Sequence, residues 1–269
     1  MSTEEQSKYT DLESYDTKDL LLAINDLDNG VSAAVKQAIP QIEKFCNATL
    51  SKIKKGGRLF YVGSGTSGRL GIVDASECPP TFGVDHGLVV GIIAGGDKAI
   101  REAVEFAEDD TKACFKQLKE FNINDKDTVV GISASGRTPY VLGALNECKE
   151  NGIGTGSIVC NSDSKIAEAS DFPMEILTGP EFVRGSTRMK AGTGTKLVLN
   201  MITTSLMIKK GHVKGNKMID MALSNDKLVD RGTRMVMEET SLDYKEANTL
   251  LLKMKSVRAA VDSWAVSKG

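Results

Sequence analysis

The sequence predicts an α/β protein built on a parallel sheet, and three observations support this fold class. Five short apolar runs lie between residues 58 and 179, and the first four are rich in Val, Ile and Leu without strict polar alternation. Strands buried on both faces of a parallel sheet have this composition. Helical patterns separate most of the runs, and hydroxyl-rich glycine loops follow the first and third, as expected for a doubly wound sheet with right-handed crossovers.

The apolar runs give the predicted strands, at 58–65, 88–95, 128–135, 156–162 and 173–179. Helices are predicted between them at 67–77, 97–119 and 138–150. Together these elements predict a three-layer α-β-α sandwich with a five-stranded parallel sheet. Ligands of such sheets bind beyond the carboxyl ends of the strands.

The sheet is predicted to be flanked by helices. An arm at 1–16 precedes a short helix at 17–29, for which Thr17 is the expected cap, and a helix at 31–54 that Pro40 is expected to kink or restart. After residue 179 the helices are predicted at 196–209, 216–222 and 225–239, with one or two more in 241–269. The predicted organisation has three parts: an N-terminal arm with helices at 1–54, an α/β domain at 55–215 and a helical C-terminal segment at 216–269. The last part is expected to be a shortened small domain.

Composition excludes several classes of protein. The chain carries 34 basic and 36 acidic residues, so its net charge of −2 favours neither nucleic acid nor an anionic membrane as a partner. Its apolar runs are too short or too polar for a transmembrane helix, and the polar N-terminus is unlike a signal peptide. Five cysteines without a C-x-x-C motif and only two histidines predict reduced thiols in the cytoplasm and no metal site.

The first glycine loop, "VGSGTSG", raises the question of which phosphate it binds. Gly63, Gly65 and Gly68 form a G-x-G-x-x-G pattern, but a dinucleotide site also needs an acidic residue about 20 positions later. Asp97 lies 29 residues beyond Gly68. On these grounds the loop could still bind a dinucleotide, or it could be a glycine turn that is needed only for close packing.

Hydroxyl side chains favour a small phosphate over a dinucleotide. The first loop contains Ser64, Thr66 and Ser67, and the loop after the third strand, "SASGRT", contains Ser133, Ser135 and Thr138. Two strand ends would then offer N–H and O–H donors at helix N-termini, as a phosphate monoester requires. The alternative is that some of these residues only cap helices.

Four segments resemble a known family. "VGSGTSGRLGIVDASECPPTFG", "AGGDKAIREAVEFAEDD", "GISASGRTPYVLGAL" and "GPEFVRGSTRMKAGT" resemble the N-acetylmuramic acid 6-phosphate etherases. These belong to the sugar-isomerase-domain (SIS) superfamily, which has a flavodoxin-like sheet and includes the glucokinase regulatory protein. The resemblance covers about residues 16–240, and D-A-S-E-C-P-P-T and G-S-T-R-M-K-A-G-T are its most specific motifs.

The resemblance implies a reaction and an assembly. Such an etherase cleaves the D-lactyl ether at C3 of N-acetylmuramic acid 6-phosphate by C2 deprotonation, elimination and addition of water. The products are N-acetylglucosamine 6-phosphate and D-lactate, as in cell-wall amino-sugar recycling. The resemblance implies no metal or cofactor, and a homodimer with sites near the subunit interface.

The resemblance also implies which residues act. Glu77 would protonate the departing lactyl oxygen and then activate water, and Glu108 would act at C2, although this division of roles stays open. Carboxylates can do both jobs if burial raises their pKa towards neutrality. Pro79 and Pro80, which follow Glu77 closely, are expected to hold it in a stiff turn. From the residues alone, Glu77 could instead be a surface residue at a helix end. Glu108 could belong to a solvated charge run that ends a helix.

Further ligands and competing functions complete the predictions. Ser186, Arg188 and Lys190 are candidates for contacting the substrate, with Ser186 and Thr187 expected to cap the following helix. A sugar-phosphate-sensing regulatory protein without catalysis and a ketose–aldose isomerase of the same superfamily are the alternatives. The presence of both glutamates argues against the first, and the D-A-S-E-C-P-P-T motif is not expected in the second.

Overall fold

The computed structural model describes residues 2–268 and contains the predicted parallel sheet. Its strands are β1 (Leu59–Gly63), β2 (Val89–Ile93), β3 (Thr128–Ser133), β4 (Gly154–Val159) and β5 (Phe172–Glu175). All neighbouring strands pair in parallel, in the order β2-β1-β3-β4-β5. The predicted fold class is confirmed. The order reverses between β1 and β3, which is where such sheets open a crevice for ligands.

Helices occupy most of the remaining chain. Those before β4 are α1 (Thr17–Asp28), α2 (Val31–Ile53), α3 (Gly65–Phe82), α4 (Lys98–Arg101), α5 (Ala113–Glu120) and α6 (Pro139–Glu150). Those after it are α7 (Lys165–Ala169), α8 (Lys190–Lys210), α9 (Asp226–Thr240), α10 (Tyr244–Met254) and α11 (Val257–Lys268). The chain also forms short 3₁₀ turns at Ser2–Glu4 and Leu12–Ser14.

The two faces of the sheet are covered by different helices. Phe60 and Val129 share one face and pack in a buried cluster with side chains of α5 and α6. On the other face, a side chain at Gly156 would meet the ring of Phe45 on α2, and one at Gly71 of α3 would meet Tyr61. The glycines therefore let helices approach the sheet closely. This gives the three layers that the sequence predicts.

Several predicted helix boundaries are wrong. The helix predicted at 97–119 is interrupted, because Glu102 leaves α4 in an extended conformation and Phe106 has a left-handed φ of 58°. Residues 216–222 are not helical: Gly215 has a φ of 61°, and Lys214 and Lys217 form an isolated antiparallel bridge.

The two predictions for the first helices also need correction. Asp16, not Thr17, caps α1, and its side chain accepts a hydrogen bond from Asp19 N at 2.8 Å. The helix α2 continues through Pro40 as one element, so it does not restart there.

The chain divides into two compact units. The first comprises Met1–Ala75 with Gly87–Thr203 and contains the sheet, and the second comprises Ser76–His86 with Thr204–Gly269. The second has its own apolar core, made by side chains such as Met221, Val236 and Leu251. The predicted domain boundaries after residues 54 and 215 stay predictions.

A buried polar cluster joins three elements of the first unit, and we call it the Asp74 cluster: Tyr61, Asp74, Asn200 and Thr203. Asn200 Nδ2 and Thr203 Oγ1 donate to Asp74 Oδ1 at 2.7 and 3.2 Å. Asp74 is only 5% exposed, and its burial raises the pKa of the carboxyl, although hydrogen bonds from Asn200, Thr203 and Tyr61 oppose the rise. The cluster links β1, α3 and α8.

No helix within residues 2–268 is long and apolar enough to cross a bilayer. The five cysteines are free, and all except Cys46 are buried. Burial raises the pKa of Cys114, Cys148 and Cys160 to about 12, so these side chains are protonated thiols at neutral pH.

Candidate functional site

The first hydroxyl-rich loop is a tight turn from β1 into α3. Gly68 N donates to Ser64 O at 3.2 Å, and a side chain at Gly63 would come within 2.8 Å of Gly68 N. Gly65 has a left-handed φ of 50°, which glycine adopts without a steric penalty. The glycines thus bring the N-terminus of an 18-residue helix directly to the strand end, with Ser64, Thr66 and Ser67 around it.

The second loop, between β3 and α6, is organised by the buried hydroxyl of Ser133. Its Oγ lies 2.8 Å from Thr138 Oγ1 and 3.3 Å from Ser135 Oγ, and it accepts a hydrogen bond from Gly136 N at 3.2 Å. Gly136 has a φ of 68°, and a side chain there would collide with Ser164. The three hydroxyls are therefore held together before any ligand arrives.

The two loops meet because β1 and β3 are neighbours in the sheet, with Gly63 paired to Ile132. Their carboxyl ends open into a cavity of about 420 Å³. Six of the nine predicted binding residues and one of the two predicted catalytic residues line it. These are Ser64, Thr66, Ser67, Ser133, Ser135, Thr138 and Glu108.

Glu108 reaches the cavity from the segment between α4 and α5. Ser64 Oγ donates to Glu108 Oε2 at 2.9 Å, and Tyr140 N donates to Glu108 O at 2.9 Å. The prediction that Glu108 lies within a helix over 97–119 is wrong, as is the alternative that it ends a helix, because this segment is a series of turns. Asp110 lies just before α5 and accepts hydrogen bonds from Lys112 N and Ala113 N, where the chain enters that helix. Glu108 is exposed in the isolated chain, so the expected burial is not found.

The structure adds cavity residues that the motifs did not single out as ligands. Glu4, Arg137 and Thr187 also line the cavity. Arg137 lies within the second loop and is the one positively charged residue among the lining residues. Glu4 comes from the N-terminal arm, and no signal in the sequence connects it to two loops that lie more than 50 residues away.

Ser186, Arg188 and Lys190 do not line the cavity. Arg188 is exposed, whereas Lys190 is buried and its Nζ donates to Pro180 O at 3.0 Å. Burial lowers the pKa of Lys190, and the charge of Glu181 opposes that effect. The helix α8 begins at Lys190, so the expectation that Ser186 and Thr187 cap it is wrong.

Glu181 performs the capping role instead. Its carboxylate accepts from Lys190 N at 2.9 Å and from Ala191 N at 3.0 Å. A negative charge at a helix N-terminus is favourable, and the side chain is fully buried. Glu181 is a residue that the sequence analysis missed, although it precedes the G-S-T-R-M-K motif by only a few positions.

Glu77 lies on α3 in the second compact unit, where its side chain is exposed. The predicted stiff turn at Pro79 and Pro80 is wrong, because α3 includes both prolines and ends at Phe82. Gly83 N closes the helix by donating to Pro79 O at 2.9 Å.

The cavity suits a phosphorylated polar molecule. The first N–H groups of a helix have no partner within the helix, and together with hydroxyl groups they bind phosphate without a metal. No group of three or more His, Cys, Asp or Glu side chains in residues 2–268 is arranged to hold a metal ion. A carboxylate beside such a phosphate site can transfer protons to and from the bound molecule.

Comparisons with protein families agree with this geometry. The model of the glucokinase regulatory protein N-terminal SIS domain matches residues 41–149, and the SIS domain model matches residues 100–205. A phosphoheptose isomerase from Francisella tularensis has the same fold, with a TM-score of 0.53 over 70% of this chain and 98% of that one, at 16% identity.

Two curated relatives are much more similar. The N-acetylmuramic acid 6-phosphate etherase of Christiangramia forsetii is 59% identical over 97% of this chain and 95% of its own length. The protein of that name from Bacteroides fragilis is 55% identical over 97% of this chain and 93% of its own length. The resemblance carried by the four segments is confirmed, and the chain belongs to the N-acetylmuramic acid 6-phosphate etherase family.

Proposed function

We propose that this chain is a carbon–oxygen lyase that cleaves the D-lactyl ether of N-acetylmuramic acid 6-phosphate. The products would be N-acetylglucosamine 6-phosphate and D-lactate, as in amino-sugar recycling. The observation that carries the proposal is the cavity in which Glu108 accepts a hydrogen bond from Ser64 of the first hydroxyl-rich loop, in a chain 59% identical to a relative of that name.

The phosphate is proposed to bind between the two hydroxyl-rich loops. Ser64, Thr66 and Ser67 would donate from the first loop, together with backbone N–H groups at the start of α3. Ser133, Ser135 and Thr138 would donate from the second, where their mutual hydrogen bonds already fix the hydroxyl oxygens. Such preorganisation lowers the entropic cost of binding.

The chemistry follows from the acidity of C2 in the open-chain sugar. The C2 proton is acidified by the C1 aldehyde, and a base removes it to give an enolate. The enolate expels lactate from C3 as an acid protonates the departing oxygen, which leaves an unsaturated aldehyde. Water then adds at C3 and a proton returns to C2, so the net reaction is hydrolysis of the ether.

We assign the C2 proton to Glu108 and the lactyl oxygen to Glu77. The position of Glu108 beside the phosphate loops supports the first assignment, since a base must lie within hydrogen-bond reach of the proton it removes. The assignment of Glu77 rests on the D-A-S-E-C-P-P-T motif and on the relatives. Where two carboxylates act on one substrate, their titrations are coupled.

Ser186, Arg188 and Lys190 stay proposed substrate ligands. Thr187 lines the cavity, so the loop that carries Ser186 and Arg188 lies at its rim. A guanidinium there would suit the lactyl carboxylate.

A homodimer in the cytoplasm is the proposed setting. Leu21, Leu22 and Ile39 expose 62%, 58% and 45% of their area on α1 and α2, which is consistent with an apolar surface that a second copy covers. Size-exclusion chromatography with light scattering tests the dimer, and a monomer at micromolar concentration would contradict it.

The activity is tested by incubating the purified protein with N-acetylmuramic acid 6-phosphate and measuring D-lactate. In ²H₂O the product should carry deuterium at C2, and in H₂¹⁸O its C3 hydroxyl should carry ¹⁸O. Binding without lactate release would indicate a regulatory protein, and turnover of fructose 6-phosphate would indicate an isomerase.

A further inference from the structure

The N-terminal segment Ser2–Glu4, which we call the N-terminal strap, is fastened to the end of β4. Thr3 is fully buried. Its backbone N donates to Asn161 Oδ1 at 3.2 Å, and Asn161 Nδ2 donates to Thr3 Oγ1 at 2.9 Å. A buried side-chain amide with partners on both of its polar atoms is a well-defined anchor.

The same anchor reaches the second hydroxyl-rich loop. Asn161 Nδ2 also donates to Ala134 O at 2.9 Å, and Ala134 lies between Ser133 and Ser135. On its other side the strap is held by Arg184, whose Nε donates to Glu4 O at 2.8 Å. The strap therefore has a fixed position relative to the loop that is proposed to bind phosphate.

The strap contributes Glu4 to the cavity lining. The charged residues of that lining are Glu4, Glu108 and Arg137. A carboxylate accepts hydrogen bonds but cannot donate them, and it repels phosphate. The Glu4 end of the cavity therefore favours a part of the ligand that is uncharged and rich in hydrogen-bond donors.

We propose that Glu4 is a specificity-determining residue, whose carboxylate accepts a hydrogen bond from a hydroxyl or amide N–H group of the bound sugar. It thereby sets the direction in which the sugar lies, with the phosphate on the serine loops. The Thr3–Asn161 anchor is the positioning element of Glu4. This inference rests on the proposed function, because it names a further contact in the same cavity.

The experiment compares Glu4→Ala, Glu4→Gln and the matched control Glu5→Gln, in full-length protein with the same melting temperature as the wild type. Glu5 is the neighbouring acid, is exposed and does not line the cavity. Glu4→Ala should raise KM about tenfold or more while kcat changes less than threefold, because a hydrogen bond to a charged group is lost. Glu4→Gln keeps an acceptor oxygen, so its KM should lie between those of the wild type and Glu4→Ala. The KM of Glu5→Gln should match that of the wild type.

A double-mutant cycle tests the anchor. Thr3→Ala should raise KM severalfold in the wild-type background, because Glu4 loses its fixed position. In the Glu4→Ala background the same change should have little further effect. Additive effects of the two substitutions would contradict the positioning role.

Failure of this inference is distinguishable from failure of the proposed function. If the wild type releases lactate and Glu4→Ala has the KM of Glu5→Gln, the role of Glu4 is refuted and the activity stands. If the wild type releases no lactate, the dissociation constant for N-acetylglucosamine 6-phosphate, measured by calorimetry, replaces KM. The role of Glu4 is then refuted if wild type and Glu4→Ala bind this sugar phosphate with equal affinity, or if the wild type does not bind it at all.

Discussion

The cavity at the strand ends and the Asp74 cluster hold a carboxylate in opposite ways, although both lie in the first compact unit. Glu108 is exposed and receives a side-chain hydrogen bond from Ser64. Asp74 is buried and receives hydrogen bonds from Asn200, Thr203 and Tyr61. The first carboxylate is accessible to a ligand, whereas protein groups surround the second.

The difference shows why a shifted pKa alone does not identify a catalytic acid. Burial raises the pKa of Asp74, which is a common mark of functional sites. Its hydrogen-bond partners nevertheless lie on β1 and α8, which Asp74 ties to its own helix α3, so we interpret it as a structural residue. Glu108 is a candidate catalytic residue because it lines the cavity.

The largest expected effect comes from Glu108→Gln. This change removes the proposed base but keeps the size of the side chain and its ability to accept from Ser64, so D-lactate release should fall at least about a thousandfold. The melting temperature should stay within a degree or two of the wild type. Lactate release within tenfold of the wild type would refute the assignment.

The second effect is on stability. Asp74→Ala removes the acceptor of the partly buried Asn200 amide and leaves the Thr203 hydroxyl with Leu199 O alone, which should cost about 2 kcal/mol. The melting temperature should then fall by about 4–8 °C, while KM of the folded protein remains near that of the wild type. If scanning calorimetry shows no fall, the cluster does not join the elements as described.

A smaller effect is expected for Ser133→Ala, which removes the shared hydroxyl of the second loop. KM should rise about tenfold, because Ser135 and Thr138 lose the partner that holds them. The control is Ser157→Ala, a buried serine within β4 that lies outside the cavity lining. An equal KM for both variants would show that the Ser133 network does not serve binding.

The smallest effect is the pH dependence of stability. A carboxyl with a raised pKa in the folded state favours folding below its usual value of 3.8, and this advantage is lost as pH rises through the folded-state pKa. Relative to Asp74→Asn, which cannot titrate, the wild type should therefore lose stability as pH increases from about 4. Parallel unfolding curves of the two proteins in urea from pH 4 to 8 would contradict the raised pKa.

Much of the fold could be predicted from the sequence because the strands are buried on both faces. The apolar composition of runs such as "RLFYVG" and "TVVGIS" is typical of a strand buried on both faces and fits few other environments. The segment 102–112 could not be predicted, since its charged residues fit a helix surface equally well. Its path is set by a left-handed Phe106 and by the turn that Asp110 forms, neither of which leaves a periodic pattern.

The site was predictable where its residues sit in local motifs. The two hydroxyl-rich loops follow their strands directly, so the parallel topology alone brings Ser64 and Ser133 to one edge. Glu4 and Glu181 were missed because their roles depend on contacts that are set by tertiary structure. The hydrogen bonds of Thr3 to Asn161, 158 positions apart, have no counterpart in any short sequence pattern.

The pairing of β1 with β3 has a consequence for the order of events during folding. Ser64 and Ser133 are separated by 69 positions, and they become neighbours only after β2 and its connecting segments have been looped out and the central strands have aligned. Such distant pairings form slowly. On dilution from denaturant, ligand binding should therefore return later than the circular-dichroism signal of the helices. Recovery of activity would then report that the sheet has assembled completely.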